Sequence, residues 1–238
     1  MIEIIIPVYN EGGNIRKTLK QINEKISVNK KVKFIYDFDE DNTIPAIHEE
    51  KNKYDFEINL IKNSFGRGAL NALKTGLICA DEEFVLVMMA DLSDDIEIVD
   101  KMYEKVNEGY DLVCASRYMK GGKQIGGPFL KKIFSRIAGV SLHYLINIPT
   151  HDVTNSFKLY KKELLDQIHI ESTGGFELGM EIVVKAYNLG YKITELPSIW
   201  YDRVDGESNF KMWNWIPHYL KWYFWGVKNT WLKKNRSN

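Results

Sequence analysis

The stretch FVLVMMADLSDD, residues 84–95, decides the fold. Its first five residues are all apolar, too short a run for a buried helix and suited to a strand covered on both faces; three carboxylates, Asp91, Asp94 and Asp95, follow where that strand must end. Outward from it, short Ile/Val/Phe-rich runs at 2–6, 32–37, 57–61 and 111–115 alternate with segments at 14–27, 44–51, 68–80 and 96–107, where apolar residues recur three and four apart. Such alternation predicts an α/β fold, a mostly parallel central sheet with helices on both faces. Open sheets of this kind bind ligands beyond the carboxyl ends of their strands. The loops that carry function are therefore 7–13, 37–43, 63–68, 89–95 and 116–122.

After Gly122 the pattern changes. Residues 128–148 place Phe129, Leu130, Ile133, Phe134, Ile137, Ser141, Tyr144, Leu145 and Ile148 on one side of a helix, with Lys131, Lys132 and Arg136 elsewhere. That helix either lies on a membrane or packs on the domain. A strand at 154–160, a helix at 176–189 and a final strand at 191–197 complete the expectation: one catalytic domain over 1–211 and a tail over 212–238.

Composition narrows the partners. Lys plus Arg and Asp plus Glu number 32 each, so no global charge drives the chain onto nucleic acid. Cys79 and Cys114 stand apart in apolar stretches without metal-type spacing and read as reduced core thiols of a cytoplasmic protein. The run at 2–6 lacks a signal peptide's basic region, longer apolar stretch and cleavage site, and is too short to span a bilayer. The five histidines show no metal-type pairing, His151 beside Asp152 being the least dull, and Glu177 and Glu181 share a helix face that either lines a pocket or meets solvent.

Among the loops, Pro7-Val8-Tyr9-Asn10-Glu11 follows the first strand without GxGxxG, which counts against a dinucleotide-binding dehydrogenase. The loop 37–43 concentrates Asp37, Asp39, Glu40 and Asp41; a solvated turn is its plain alternative. Asp91 stands at the mouth of a buried strand, where carboxylate oxygen suits Mg²⁺ or Mn²⁺ bridging phosphates; helix capping by Asp94 or Asp95 is the competing reading of this loop.

Taken in order, IPVYNE, the acidic second loop, Gly66-Arg67-Gly68, ADLSDD, Ala115-Ser116-Arg117-Tyr118 with Gly121-Gly122, and Arg203 with Gly206 and Ser208 resemble family 2 glycosyltransferases of the dolichol-phosphate mannose synthase and polyprenyl-phosphate glycosyltransferase type, over roughly residues 1–211. The resemblance implies a GT-A, Rossmann-like nucleotide-sugar transferase fold with an amphipathic C-terminal helical tail. It further implies an inverting transfer of a hexose-type sugar from a GDP- or UDP-linked donor to a polyprenyl or dolichyl phosphate. On it, Pro7, Tyr9, Glu11, Asp37, Gly66, Arg67, Ala90, Asp91 and Arg117 form the nucleotide-sugar site. Asp91 and Ser93 hold a divalent ion, Arg117 and Asp91 meet the donor diphosphate, and Arg203, Ser208 and Lys211 meet the acceptor phosphate. Asp91, Arg117 and Arg203 are thus the expected catalytic residues. Two positions depart from the pattern: Met89 replaces the first acid of the DxD motif, and Ser208-Asn209 replaces Ser-Lys, leaving Lys211 as a substitute cation. The metal set then rests on Asp91, Ser93, water and donor phosphates, or borrows Asp94. A glycan acceptor, or a nucleotide-binding homologue with impaired catalysis, are the alternatives.

Five of the six tryptophans, Trp213, Trp215, Trp222, Trp225 and Trp231, lie in the last 26 residues, and past Glu207 the only charged residues are cationic. Aromatic and cationic side chains favour an anionic headgroup zone, so the tail is expected at the cytoplasmic face of a membrane as an interfacial helix. Lys221, Lys228, His218 and Pro217 argue against a span. An aromatic tail folded onto the domain is the alternative.

Overall fold

The computed structural model describes residues 1–202 and 212–236. Its centre is a seven-stranded sheet in the order 58–62, 30–36, 2–8, 84–87, 158–161, 112–116 and 193–197. Strands β1 (Ile2–Val8), β2 (Lys30–Tyr36), β3 (Ile58–Lys62) and β4 (Phe84–Val87) are parallel, with Ile2 opposite both Lys30 and Phe84. β5 (Leu112–Ser116) runs parallel to β8 (Ile193–Pro197). Between β4 and β5 lies β7 (Lys158–Lys161), antiparallel to both. A small second sheet pairs β6 (Lys123–Ile125) with β9 (Ile199–Tyr201) in parallel.

Side chains alternate across each strand, so one sheet builds two cores. On one face Ile4, Ile6, Val32, Phe34, Leu86, Val113 and Leu159 pack against Ile15, Leu19 and Ile22 of α1 (Gly12–Lys25) and Val99, Met102 and Val106 of α4 (Val99–Asn107). On the other face Ile5, Ile35, Val85, Val87, Cys114 and Tyr160 meet α3 (Ala69–Ile78), α5 (Phe129–Ile146) and α7 (Leu178–Leu189). Short α2 (Thr43–Glu50) covers α1, and α6 (Lys162–Gln167) follows β7 directly.

The expected strand at 154–160 begins only at Lys158. Ahead of it the pairing is mixed: the Ala115 N–H donates to the Phe157 carbonyl at 3.2 Å, the Asn155 side chain Nδ2 donates to the Ala115 carbonyl at 3.1 Å, and Asp152 is buried. The elements β6, β9 and α6 are too short to show a period in the sequence.

Helix α5 turns Phe129, Leu130, Phe134, Ile137, Tyr144 and Leu145 to the surface, while Gly139, Leu142 and Ile146 face the domain. Most of the apolar stripe read from the sequence is thus outward. Gly139 is pressed against the loop before β7: a Cβ there would stand 2.1 Å from the His151 carbonyl oxygen.

Helix α8 (Met212–Arg236) packs on α7 and α5. Trp222 is 1% exposed and lies under Lys185, whose Nζ is 4.7 Å from its ring. Gly226 admits Val184, Tyr223 and Ser141 share a hydroxyl pair at 2.9 Å, and Asn188 Nδ2 donates to Thr230 Oγ1 at 3.2 Å. One face of this helix therefore belongs to the domain, the alternative that the sequence left open. Leu220, Phe224, Trp231 and Leu232 remain exposed on it. Among the described residues no helix is long and apolar enough to cross a membrane.

Two substitutions test this packing by urea unfolding. Trp222→Ala should cost about 3–5 kcal/mol as a large aromatic is lost from the core. Gly139→Ala should cost ~1–3 kcal/mol, because backbone must move to admit the methyl; an unchanged midpoint would mean that α5 is not seated on the 147–157 loop.

Candidate functional site

The carboxyl ends of β1, β2, β4 and β5 open on one side of the sheet, and their loops are tied to one another by side chains. Asn10 adopts a left-handed backbone, φ 55°, which asparagine tolerates better than most residues. Its N–H donates to both oxygens of Asp41 at 3.1 Å, and the same carboxylate accepts the Thr43 N–H at 2.8 Å. Thr43 Oγ1 in turn accepts the Glu11 N–H at 2.9 Å. Asp41 is 1% exposed, so within the acidic loop it is scaffold that sets the position of Tyr9 and Glu11.

Asp37 joins β2 to the glycine turn. It accepts Asn63 Nδ2 and the Gly68 N–H, each at 2.8 Å, and Gly66 and Gly68 take φ 89° and 115°, a region that glycine enters without strain. Arg67 then stands 5.0 Å from the ring of Phe38, which meets Tyr9 edge-on at 5.5 Å. Pro7, Tyr9, Glu11, Asp37, Gly66 and Arg67 are thus brought to one end of the sheet. Phe38 joins them; an aromatic inside an otherwise acidic turn was the available signal.

The loop after β4 holds two carboxylates out of water. Asp91 Oδ1 accepts the Ser93 hydroxyl at 2.6 Å and the Ser93 N–H at 3.2 Å, and Leu92 between them has φ 60°. Thr18 Oγ1 donates to the Ala90 carbonyl at 3.0 Å, and the Tyr201 N–H to the Ser93 carbonyl at 3.0 Å. Asp94 accepts the Met89 N–H at 3.1 Å rather than capping a helix, and Asp95 accepts the Ile199 N–H at 3.4 Å. The helical turn at 96–98 has no side-chain cap. Burial, and then the neighbouring Asp91, push the Asp94 carboxyl up to about 7. Arg117 and Lys158 oppose that shift. Among the described residues no group of three or more His, Cys, Asp or Glu side chains is assembled, so a cation held by Asp91 would need oxygens from a ligand.

Arg117, just past β5, is a buried cation. Its Nε and Nη2 donate to the two oxygens of Asp152 at 2.7 and 2.9 Å, and Nη2 also reaches Thr154 Oγ1 at 2.9 Å. Burial opposes its charge, but Asp152 outweighs that effect and raises the guanidinium's affinity for its proton; reciprocally, the Asp152 carboxyl is held below its usual range despite complete burial. Lys158 on β7 is buried in the same region, and burial lowers its pKa.

Beside Arg117 a cleft of about 340 Å³ opens between β6 and α5, lined by Tyr118, Lys123, Gln124, Lys132 and Arg136 among others. Gln124 Oε1 accepts the Tyr118 hydroxyl at 3.0 Å, Lys132 Nζ donates to the Gln124 carbonyl at 3.0 Å, and the Tyr118 and Ser135 hydroxyls pair. Four cations and no carboxylate line this space among the described residues, which makes a basic pocket in a chain with no net charge. No local signal in the sequence groups Lys123, Lys132 and Arg136, because a strand of three residues and the folding of α5 over it bring them together.

Glu177 and Glu181 are neither pocket walls nor a solvated face. Both are fully buried: Glu177 accepts the N–H groups of Gly174 and Gly175 at 2.7 and 2.5 Å, and Glu181 those of Glu171 and Ser172 at 2.6 and 2.8 Å. His151 pairs through Nδ1 with Glu195 at 2.6 Å. Arg203, Ser208 and Lys211 lie outside the described residues.

Dolichol-phosphate mannosyltransferase of Pyrococcus furiosus is 29% identical over 216 residues, 88% of this chain and 59% of that protein. Polyprenol monophosphomannose synthase of Mycolicibacterium smegmatis is 28% identical over 147 residues, 60% of this chain and 56% of that protein. The chain therefore spans well under two thirds of either relative. In three dimensions it is similar to glucosyl-3-phosphoglycerate synthase from Mycobacterium tuberculosis in complex with Mn²⁺, UDP and glucosyl-3-phosphoglycerate, with a TM-score of 0.72 at 13% identity, covering 96% of this chain and 80% of that one. S. aureus TarS 1-349 in complex with UDP-GlcNAc gives 0.60 at 20% identity, covering 87% of this chain and 59% of that one. The fold is that of the GT-A glycosyltransferases. Glycosyl transferase family 2 matches residues 3–169, and the chain belongs to that family.

Proposed function

We propose that the chain transfers a hexose-type sugar from a nucleotide diphosphate donor to a lipid monophosphate at a membrane surface. The observation that carries this reading is the basic cleft beside Arg117, two of whose cations, Lys132 and Arg136, stand on the same helix as the exposed Phe129, Phe134 and Ile137. A phosphate head and a hydrocarbon tail need such a pairing of cation and apolar surface. The names of the two enzymes from Pyrococcus and Mycolicibacterium support it.

In this reading the donor nucleotide lies across Tyr9, Phe38 and Arg67, with Asp37 toward the base, and its diphosphate faces Asp91. Asp91, with Ser93 or Asp94, would hold Mg²⁺ or Mn²⁺ against the diphosphate oxygens, neutralising charge on the leaving group; the crowded Asp91–Asp94 pair fits such an ion, and Met89 does not ligate it. Arg117 stands between donor and acceptor. The acceptor phosphate sits in the cleft with Lys123, Lys132 and Arg136, which join the expected acceptor contacts Arg203, Ser208 and Lys211 that lie outside the described residues. A phosphate monoester is largely ionised near neutral pH, so its oxygen attacks the anomeric carbon without a strong general base. The chain's contribution is then alignment and charge stabilisation. The catalytic unit is 1–211, and α8 with α5 rests on the cytoplasmic face through Phe224, Trp231, Phe134 and Ile137.

Release of nucleoside diphosphate from GDP- and UDP-sugars, with Mg²⁺ or Mn²⁺, should require a short polyprenyl phosphate; release without the lipid would contradict the acceptor assignment. Asp91→Asn should lower turnover ~100-fold or more. Lys132→Ala with Arg136→Ala should raise the acceptor KM about tenfold or more while kcat changes little, as loss of uniform binding does. Ile137→Asp should weaken sedimentation with anionic vesicles and leave urea stability within ~0.5 kcal/mol.

A further inference from the structure

The Asp152 carboxylate invites the role of general base, since it is bonded to Arg117 at the wall of the cleft. Its surroundings argue otherwise. It is fully buried and already accepts five hydrogen bonds, from the Arg117 N–H, Nε and Nη2, the Thr154 hydroxyl and the Asn155 N–H, at 2.7 to 3.1 Å. A carboxylate so occupied has no lone pair turned toward a substrate, and taking up a proton would cost it the Arg117 fork.

The consequence for Arg117 is geometric. Nε and both Nη2 hydrogens are taken by Asp152 and Thr154, which leaves the two Nη1 N–H groups for a ligand in the cleft that Arg117 lines. The segment between α5 and β7 is built around this clamp. The Thr150 hydroxyl accepts the Asp152 N–H at 3.1 Å and donates to Glu195 at 3.1 Å, and Asn155 ties the loop to β5 at 3.1 Å. Gly139 lets α5 press directly on His151, next in the chain.

We infer that Asp152 is a positioning residue, which fixes the Arg117 guanidinium so that its Nη1 edge binds the acceptor phosphate, and takes no proton in the reaction. The inference rests on the lipid-phosphate reading for its ligand, but it is tested by binding as well as by turnover.

The test is a double-mutant cycle read by calorimetric titration of farnesyl phosphate into wild type, Asp152→Asn, Arg117→Lys and the double variant, with thermal unfolding as a check of folding. Asp152→Asn should weaken binding ~30-fold in the wild-type background and less than about threefold in Arg117→Lys, because a lysine has no fork to orient. In turnover, the acceptor KM should rise more than kcat falls, and the acid limb of the kcat profile should persist in Asp152→Asn. Losses that multiply across the cycle, intact binding with abolished kcat, a vanished acid limb, or no binding to wild type would each overturn the inference. Should Asp152→Asn not fold, Thr154→Val removes one arm of the clamp and should weaken binding about three- to tenfold; unchanged binding there contradicts the clamp. Sugar transfer to the lipid with additive losses would leave the proposed function standing and the clamp refuted, whereas binding with a coupled cycle but no transfer would do the reverse.

Discussion

A guanidinium withdrawn from water must be met by a carboxylate, and the buried pair of Arg117 and Asp152 sets much of the architecture around the site. The two residues meet where the end of β5 lies beside the start of the antiparallel strand β7. Arg117 follows β5, and Asp152 lies on the return path from α5. Bringing them together requires the chain to leave the parallel sheet, cross the surface as α5 and come back through an irregular loop whose polar atoms are satisfied by side chains. The lone reversed strand in the sheet is where that excursion ends.

The same excursion couples chemistry to surface. One side of α5 supplies Lys132 and Arg136 to the basic cleft, another packs Leu142 and Ile146 into the core, and a third exposes Phe129, Phe134 and Ile137. α8 repeats the arrangement, with Trp222 as its anchor and Phe224 and Trp231 outward. Under the proposed function, a membrane bound by these faces would meet the helix that carries Lys132 and Arg136.

The parallel sheet was legible in the sequence because continuous apolar runs and turn-bounded helices are local signals, and β1 to β5 fall where those runs lie. The order of Asp91, Arg117 and the loop around Tyr9 along the chain was enough to place each just past the carboxyl end of a strand, β4, β5 and β1 respectively. What escaped was set by distant partners. Asp41 looks like any acid in a polar turn until Asn10 lies against it, and Glu177 and Glu181 look solvated until the 171–175 loop folds over them. The cleft of Lys123, Lys132 and Arg136 depends on a strand too short to have a period. Trp222 carries the composition of an interfacial residue but is spent on the core, because Lys185 and Gly226 shape a seat for α8.

The most direct measurement is a crystal structure of the chain with a nucleoside diphosphate, Mn²⁺ and farnesyl phosphate, in which the phosphorus atom of the lipid is located. The account predicts that phosphate within hydrogen-bond distance of Arg117 Nη1, between Lys132 and Arg136, with the prenyl chain leaving along the exposed side of α5. A lipid phosphate bound elsewhere, with Arg117 still turned wholly to Asp152 and the cleft holding no anion, would contradict it.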